Sequence, residues 1–136
     1  MAEQIMESMK QIAQTFITEH YPDFDGVAVA RLDNGEYVTS TELFSVQFNN
    51  CLCAEVGVMF EATNRQQNIT HILCLDKYDE ESEPEISIPC GTCLERLLHW
   101  GDDVRIAADT EGGEADFFAI RDLFPANWLT LTKDEE

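Results

Sequence analysis

The sequence predicts an α/β fold in which helices cover both faces of a mixed β-sheet. Three observations support this prediction: an amphipathic first helix, a β-hairpin directly after it, and strands that alternate with helices along the rest of the chain. The chain has 136 residues, enough for one domain spanning 1–136 to bury a core without disulfides. No repeat, linker or change of composition marks a second domain.

The first helix and the hairpin carry the clearest periodic signals. A stripe of apolar side chains at helical spacing predicts a helix that ends near His20. The stripe consists of Ile5, Met9, Ile12 and Phe16. The strand-like stretches 27–30 and 36–40 flank an Asn-Gly pair at 34–35, so we expect a hairpin there.

The remaining elements follow from shorter apolar patterns and from the turn residues between them. In chain order they are a helix at 53–65, a buried strand at 71–77, an acidic loop at 78–85, a helix at 90–100, a strand at 104–109, a loop at 110–115 and a short last element at 117–123.

Acidic residues far outnumber basic ones, with 27 Asp and Glu against 8 Lys and Arg and a formal net charge of −19. Nucleic-acid binding depends on Lys and Arg that neutralise phosphates, so we expect no nucleic-acid partner. No apolar run approaches the length of a membrane span and no leader sequence is visible, so we expect no membrane association and a cytoplasmic location. The size of the charge can also be explained as a solubility or salt-tolerance trait.

Two cysteine motifs carry the chemistry. Cys53 and Glu55 belong to a C-A-E motif, and Cys90 and Cys93 belong to a P-C-x-x-C motif. Each cluster lies where a helix is predicted to begin, and a helix N-terminus favours the thiolate form of cysteine. Three sulfur ligands leave the fourth zinc position open for a water, which is typical of a catalytic site, and the carboxylate would shuttle protons.

Two other interpretations of the cysteines remain open. The first is a closed structural zinc site with Cys51 as fourth ligand, although Cys51 and Cys53 should point to opposite sides of an extended segment. The second is a dithiol redox motif. Five cysteines without a leader sequence otherwise favour a reducing compartment and metal or thiol chemistry over disulfides.

The paired motifs resemble those of the cytidine deaminase family, including the longer pattern C-x-C-A-E at 51–55. The resemblance implies a three-layer α/β/α sandwich with a mixed five-stranded sheet. It also implies a Zn²⁺ cofactor held by Cys53, Cys90 and Cys93, with Glu55 as the catalytic residue. The implied reaction is hydrolytic deamination of a free aminopyrimidine nucleoside, and the implied assembly is a homotetramer or dimer.

The flanking segments extend the resemblance to substrate contacts. Residues 21–24 are similar to the family's Y-S-x-F segment, which makes Phe24 a candidate wall for the pyrimidine ring, or else an ordinary core residue. Ala54, inside C-A-E, is expected beside the substrate. In the family's blasticidin S deaminase branch an aromatic residue near the chain end closes over the substrate. Trp128 is the candidate here, with a core or subunit-interface position as the alternative.

Departures from the family pattern concern the sugar and the zinc charge. Where relatives carry N-x-E for the ribose hydroxyls, this chain has Glu42 and Phe44, and a Phe accepts no hydrogen bond. A different sugar or a cationic group, as in blasticidin S, becomes a better substrate candidate. An Arg that offsets the thiolate charge often follows C-A-E, but here Val56 does, and Arg96 is the nearest cation.

The sequence therefore leaves two functional hypotheses. The first is a zinc-dependent deaminase acting on cytidine, deoxycytidine or a cytosine nucleoside antibiotic such as blasticidin S. The alternative is a non-catalytic nucleoside-binding or sensor protein on the same fold, which the altered ribose motif and the missing Arg would explain.

Overall fold

The computed structural model describes residues 1–20, 25–77, 79 and 81–132. Its helices are α1 (Ala2–His20), α2 (Glu55–Arg65), α3 (Gly91–Leu97), α4 (Ile120–Leu123) and α5 (Trp128–Thr132), and its strands are β1 (Asp25–Leu32), β2 (Tyr37–Thr41), β3 (Ile69–Lys77), β4 (Glu85–Ser87), β5 (Arg105–Asp109) and β6 (Ala115–Ala119).

The strands form one mixed sheet in the order β2-β1-β3-β5-β6, with β4 paired to β3 beside this path. The pair β3–β5 is parallel, and the other named pairs are antiparallel. The expected five strands are therefore the continuous path, and β4 is an additional strand. It was missed because three residues carry no readable period, and they pair only with 74–76 of β3.

The chain end also differs from the expected pattern. Residues 115–119 form β6, paired antiparallel with β5, where we expected a loop followed by a short element. Both hairpins close with a three-residue loop whose last residue is a glycine at positive φ, Gly35 at 89° and Gly113 at 84°. A residue with a Cβ is strained in that conformation, so the glycines define these turns.

Helices cover both faces of the sheet, as predicted. Alternate side chains of β1 divide the core: Val27 and Val29 pack in the cluster under α1, whereas Ala28 and Ala30 pack in the cluster under α2 and α3. Because a sheet covered on both sides must be apolar on both, β1 and β3 are nearly continuous apolar runs. Among the described residues, no helix combines the length and the apolar character that crossing a lipid bilayer requires.

Candidate metal and catalytic site

Three thiols meet where α2 and α3 begin. Cys53 lies two residues before α2, Cys90 is the residue preceding α3, and Cys93 lies in the first turn of α3. Their sulfur atoms all lie within 4.8 Å of one another. The Sγ atoms of Cys53 and Cys90 are 3.8 Å apart. Tetrahedral zinc with Zn–S bonds of about 2.3 Å holds its sulfurs about 3.8 Å apart, so the three thiols fit this metal.

Cys51 takes no part in this cluster of potential ligands among the described residues. Its sulfur instead lies 3.3 Å from the backbone nitrogen of Ser45, which donates to it. The alternative of a closed site with Cys51 as the fourth ligand therefore has no support from the geometry, and the fourth position is left to a non-protein ligand.

Glu55 is the first residue of α2 and only 7% exposed. Its Oε1 accepts a hydrogen bond from the thiol of Cys74, with a sulfur–oxygen distance of 3.1 Å. Its Oε2 is buried and has no hydrogen-bond partner among the described residues. An unpaired buried acceptor costs about 1–3 kcal/mol, and a charged acceptor costs more. A ligand or a water that donates a hydrogen bond to this oxygen would remove that cost.

The turn that carries the C-A-E motif is held by Ser40 of β2. The Ser40 hydroxyl donates to the carbonyl oxygen of Ala54 and accepts from the backbone nitrogen of Val58 at 3.0 Å. The Ser40 hydroxyl thereby bridges a carbonyl and an N–H at the start of α2 and ties this turn to β2. A Cβ added at Gly57 would overlap the Ser40 side chain, so the close approach of helix and strand depends on that glycine.

The electrostatic environment differs among the three thiols. Burial, followed by contacts with Cys90, raises the pKa of Cys53. Burial also opposes ionisation of Cys90, but the N–H groups at the start of α3 and the neighbouring thiols outweigh it and lower the pKa of Cys90. Burial and then the charge of Glu55 raise the pKa of Cys93. A divalent cation would reverse this balance by displacing the thiol protons.

Arg96 reaches the sulfur cluster, a point that the sequence left open. Its Nη1 donates to the Sγ of Cys93 over 3.6 Å. The two residues are three positions apart on α3, so they lie on one face of the helix. Val56 lies instead in an apolar patch with Met59, Phe60 and Trp100. A cation is therefore present at the thiolates, supplied from α3 and not from α2.

A cavity of about 470 Å³ opens beside the thiols. Glu42, Phe44 and Ala54, all predicted as substrate contacts, line it together with Cys53 and Glu55. These residues come from two separate segments of the chain: the loop after β2, and the turn that begins α2. The structure thus brings them to one place, and their contact with a substrate stays a prediction.

The two other predicted contacts are not found in this cavity. Phe24 lies outside the described residues. Trp128 begins α5, is 76% exposed and is not among the described residues that line the cavity. Its role also stays a prediction.

Sequence reasoning missed three residues of the site: Ser40, Cys74 and Asp76. Asp76 lines the cavity, and its Oδ1, like the Oε1 of Glu42, would lie 2.5 Å from a Cβ added at Gly26. Two carboxyl groups therefore flank this glycine at one end of the cavity. Asp76 alternates with Cys74 on β3 and so shares its face of the sheet, but no motif marks either residue. Ser40 carried no signal.

Comparisons with known proteins agree with this geometry. A cytidine deaminase from Bacillus anthracis superposes with a TM-score of 0.90 and 31% sequence identity, over 96% of this chain and 94% of that one. A cytidine deaminase from Mycobacterium tuberculosis has a TM-score of 0.72 and 23% identity, over 90% of this chain and 96% of that one. One from Burkholderia pseudomallei has a TM-score of 0.69 and 18% identity, over 90% and 98%.

No model of a known protein family matches the chain, and no curated protein sequence matches it. The assignment therefore depends on solved structures, and among these the Bacillus anthracis protein is similar in sequence as well as in fold over nearly the full length of both chains. With the three thiols and the buried carboxylate in place, the chain belongs to the cytidine deaminase family.

Proposed function

We propose that this protein is a zinc-dependent hydrolase that deaminates a free aminopyrimidine nucleoside. The observation that carries the proposal is the buried Oε2 of Glu55, which has no hydrogen-bond partner among the described residues, on a side chain that lines the cavity together with Cys53 and Cys90. A carboxylate oxygen that accepts no hydrogen bond from the described residues can exchange protons with a water and a substrate.

The reaction adds one water at C4 of the cytosine ring and releases the amino group as ammonia, leaving a uracil nucleoside. Glu55 would take a proton from the attacking water, deliver it to the ring nitrogen and transfer a second proton to the departing amine. Zinc held by Cys53, Cys90 and Cys93 would lower the pKa of a bound water towards neutrality. Cys74 would hold the carboxylate through Oε1, and Ser40 would hold the backbone of the turn that carries Glu55.

The proposed substrate is a free nucleoside and not a nucleic acid, because a chain with net charge −19 repels a polyanion. Within that class, the cavity favours a substrate whose sugar side is not plain ribose. Glu42 and Asp76 add carboxyl groups there, and the ring of Phe44 cannot accept a hydroxyl hydrogen bond. Cytidine, deoxycytidine and blasticidin S are the candidates, and the guanidinium tail of blasticidin S suits the carboxyl groups.

The test is ammonia release from each candidate by zinc-loaded protein. Glu55→Gln is the matched variant, since it keeps the shape and removes the proton carrier. We expect at least one candidate to be deaminated by the wild type, and the variant to lose about 10²-fold or more in kcat. Full activity of Glu55→Gln contradicts the mechanism.

Absence of turnover with all three nucleosides contradicts the substrate class. The alternative function, a nucleoside-binding or sensor protein, then makes its own prediction. Such a protein binds nucleosides but binds a hydrated-pyrimidine transition-state analogue no more tightly than the substrate, whereas an enzyme binds the analogue far more tightly.

We also propose that the protein acts as a homo-oligomer, a tetramer or a dimer. Large apolar side chains are at least half exposed around the cavity: Leu43, Phe44, Val46, Phe48 and Ile88. Apolar side chains concentrated in this way are typical of a contact surface. The molar mass from light scattering after gel filtration should be a multiple of 15.4 kDa. A monomer at micromolar concentration contradicts the assembly, and Phe48→Asp should lower the measured mass.

A further inference from the structure

The buried thiol of Cys74 has no role in the motif or in the cluster of potential zinc ligands. It lies in the middle of β3, paired with Ala28 of β1 and Ser87 of β4, and is only 2% exposed. A cysteine at such a place is ordinarily an inert apolar residue. Here its sulfur lies 3.1 Å from Oε1 of Glu55, close for a thiol hydrogen bond to oxygen.

The two oxygens of Glu55 are thereby made unequal. Oε1 has a donor in the core, and Oε2 has no partner among the described residues although it is equally inaccessible to solvent. A carboxylate with no anchored oxygen can rotate about its terminal bond and present either oxygen, or an intermediate orientation. One donor on Oε1 restricts that rotation and leaves Oε2 as the oxygen available to a ligand, on a side chain that lines the cavity.

We propose that Cys74 is a positioning residue for the deamination, which fixes Glu55 through Oε1 so that Oε2 is the oxygen that transfers protons. This inference rests on the proposed function, because it concerns the residue to which that function assigns proton transfer. The thiol takes no part in the chemistry: it forms no bond to substrate and keeps its proton throughout.

The surroundings of Cys74 suit this role. Burial, and then the charge of Glu55, raise the pKa of Cys74 well above its ordinary value, so the sulfur remains a donor over the working pH range. Strand β3 is the central strand of the sheet, between β1 on one side and β4 and β5 on the other. The donor is therefore attached to the part of the fold least able to shift, which is what preorganisation requires.

The experiment separates the hydrogen bond from packing. Cys74→Ser keeps a donor of similar size, Cys74→Ala removes it and leaves space, and Cys74→Val removes it while filling the space. Ile72→Val is the packing control, since Ile72 is buried on the same strand and in the same core cluster. Each protein is prepared with zinc, and its zinc content, kcat and KM are measured.

We expect Ala and Val at position 74 to lower kcat about tenfold, the loss typical of one hydrogen bond to a charged group, with KM changed less than about twofold. Cys74→Ser and Ile72→Val should retain kcat within about threefold, and zinc content should be unchanged throughout. Unchanged kcat in the Ala and Val variants, or an equal loss in the Ser variant, overturns the proposal.

A readout without activity distinguishes failure of this inference from failure of the proposed function. The infrared S–H stretching band of Cys74, identified by its loss in Cys74→Ala, should be shifted to low frequency in the wild type and should move upwards in Glu55→Gln. If no nucleoside is deaminated but the band behaves in this way, the proposed function fails and the anchoring of Glu55 stands. A band at the position of an unbonded thiol refutes the anchoring whatever the activity.

Discussion

A methyl group added at Gly57 is expected to push apart β2 and the turn of α2 that carries Glu55. Its carbon would overlap Cβ of Ser40 and lie 3.0 Å from the Ser40 hydroxyl oxygen. Overpacking of this kind costs about 1–3 kcal/mol. Replacing glycine by alanine within a helix returns at most about 1 kcal/mol. Gly57→Ala should therefore lower the free energy of unfolding by up to about 2 kcal/mol.

The same methyl should be harmless when Ser40 is also replaced by glycine. Of the three nearest atoms, only the Cα at position 40 would then remain, at 3.8 Å, which is an ordinary contact. In the Ser40→Gly background, Gly57→Ala is thus expected to stabilise the protein by up to about 1 kcal/mol. The sign of the effect changes between the two backgrounds, and the coupling energy of the double-mutant cycle should be about 1–3 kcal/mol.

Urea unfolding followed by circular dichroism, at saturating zinc, measures the four free energies of the cycle. Gly112→Ala is the matched control, because its added carbon would meet nothing nearer than the Thr110 hydroxyl at 3.8 Å. Additivity of Gly57→Ala and Ser40→Gly within about 0.5 kcal/mol would refute the reasoning. Activity gives a second measurement: displacement of the Glu55 turn by about 1 Å should lower kcat about a hundredfold in Gly57→Ala.

Three further predictions concern the metal and pH. Arg96→Gln should lower zinc affinity about tenfold in a chelator competition. Arg65→Gln is the control, because it removes the same charge from a surface ion pair, and it should leave the affinity unchanged. Equal zinc affinities of the two variants would exclude a role for Arg96. Removal of zinc by a chelator should lower the free energy of unfolding by about 4 kcal/mol, relative to protein with free zinc at about a thousand times its Kd. A melting temperature that is the same with and without the chelator contradicts the zinc site. Burial, and the flanking Arg31 and Arg105, lower the pKa of His71 to about 4. Between pH 6.5 and 4, His71 therefore binds a proton in the unfolded protein but not in the folded protein. Stability should fall as pH falls through that window, and His71→Gln should reduce the fall; an identical pH dependence in the variant refutes this assignment.

The three clustered thiols and the buried carboxylate beside them could be identified from the sequence because their signals are local. Cys90 and Cys93 are joined by one helical turn, and Cys53 and Glu55 by two residues, so each pair is arranged by the backbone next to it. The meeting of the two pairs was implied by the resemblance to a family, not by the spacing. It follows physically from the sheet: β2 and β3 both pair antiparallel with β1, so they run in the same direction and the chain leaves both at the same end, towards the starts of α2 and α3.

Short elements and long-range contacts were not predictable. Strand β4 has three residues, and β6 follows a glycine turn whose sequence looks like an acidic loop. Arg96 could be placed near Cys93 by helical spacing, but the direction of its guanidinium depends on the side chains around it. Long flexible side chains have many rotamers, and only packing selects one.

By itself, the sequence determined the fold class, the three thiols, the candidate catalytic carboxylate and the order of the main elements, because each is encoded within a few residues. Only the tertiary structure decided which residues hold that carboxylate and the turn that carries it. Cys74 and Ser40 contact the start of α2 from 19 and 14 residues away, and neither belongs to a motif. Contacts of that length arise when the sheet brings its strands beneath the helix, so their partners are defined by the folded chain and not by local spacing.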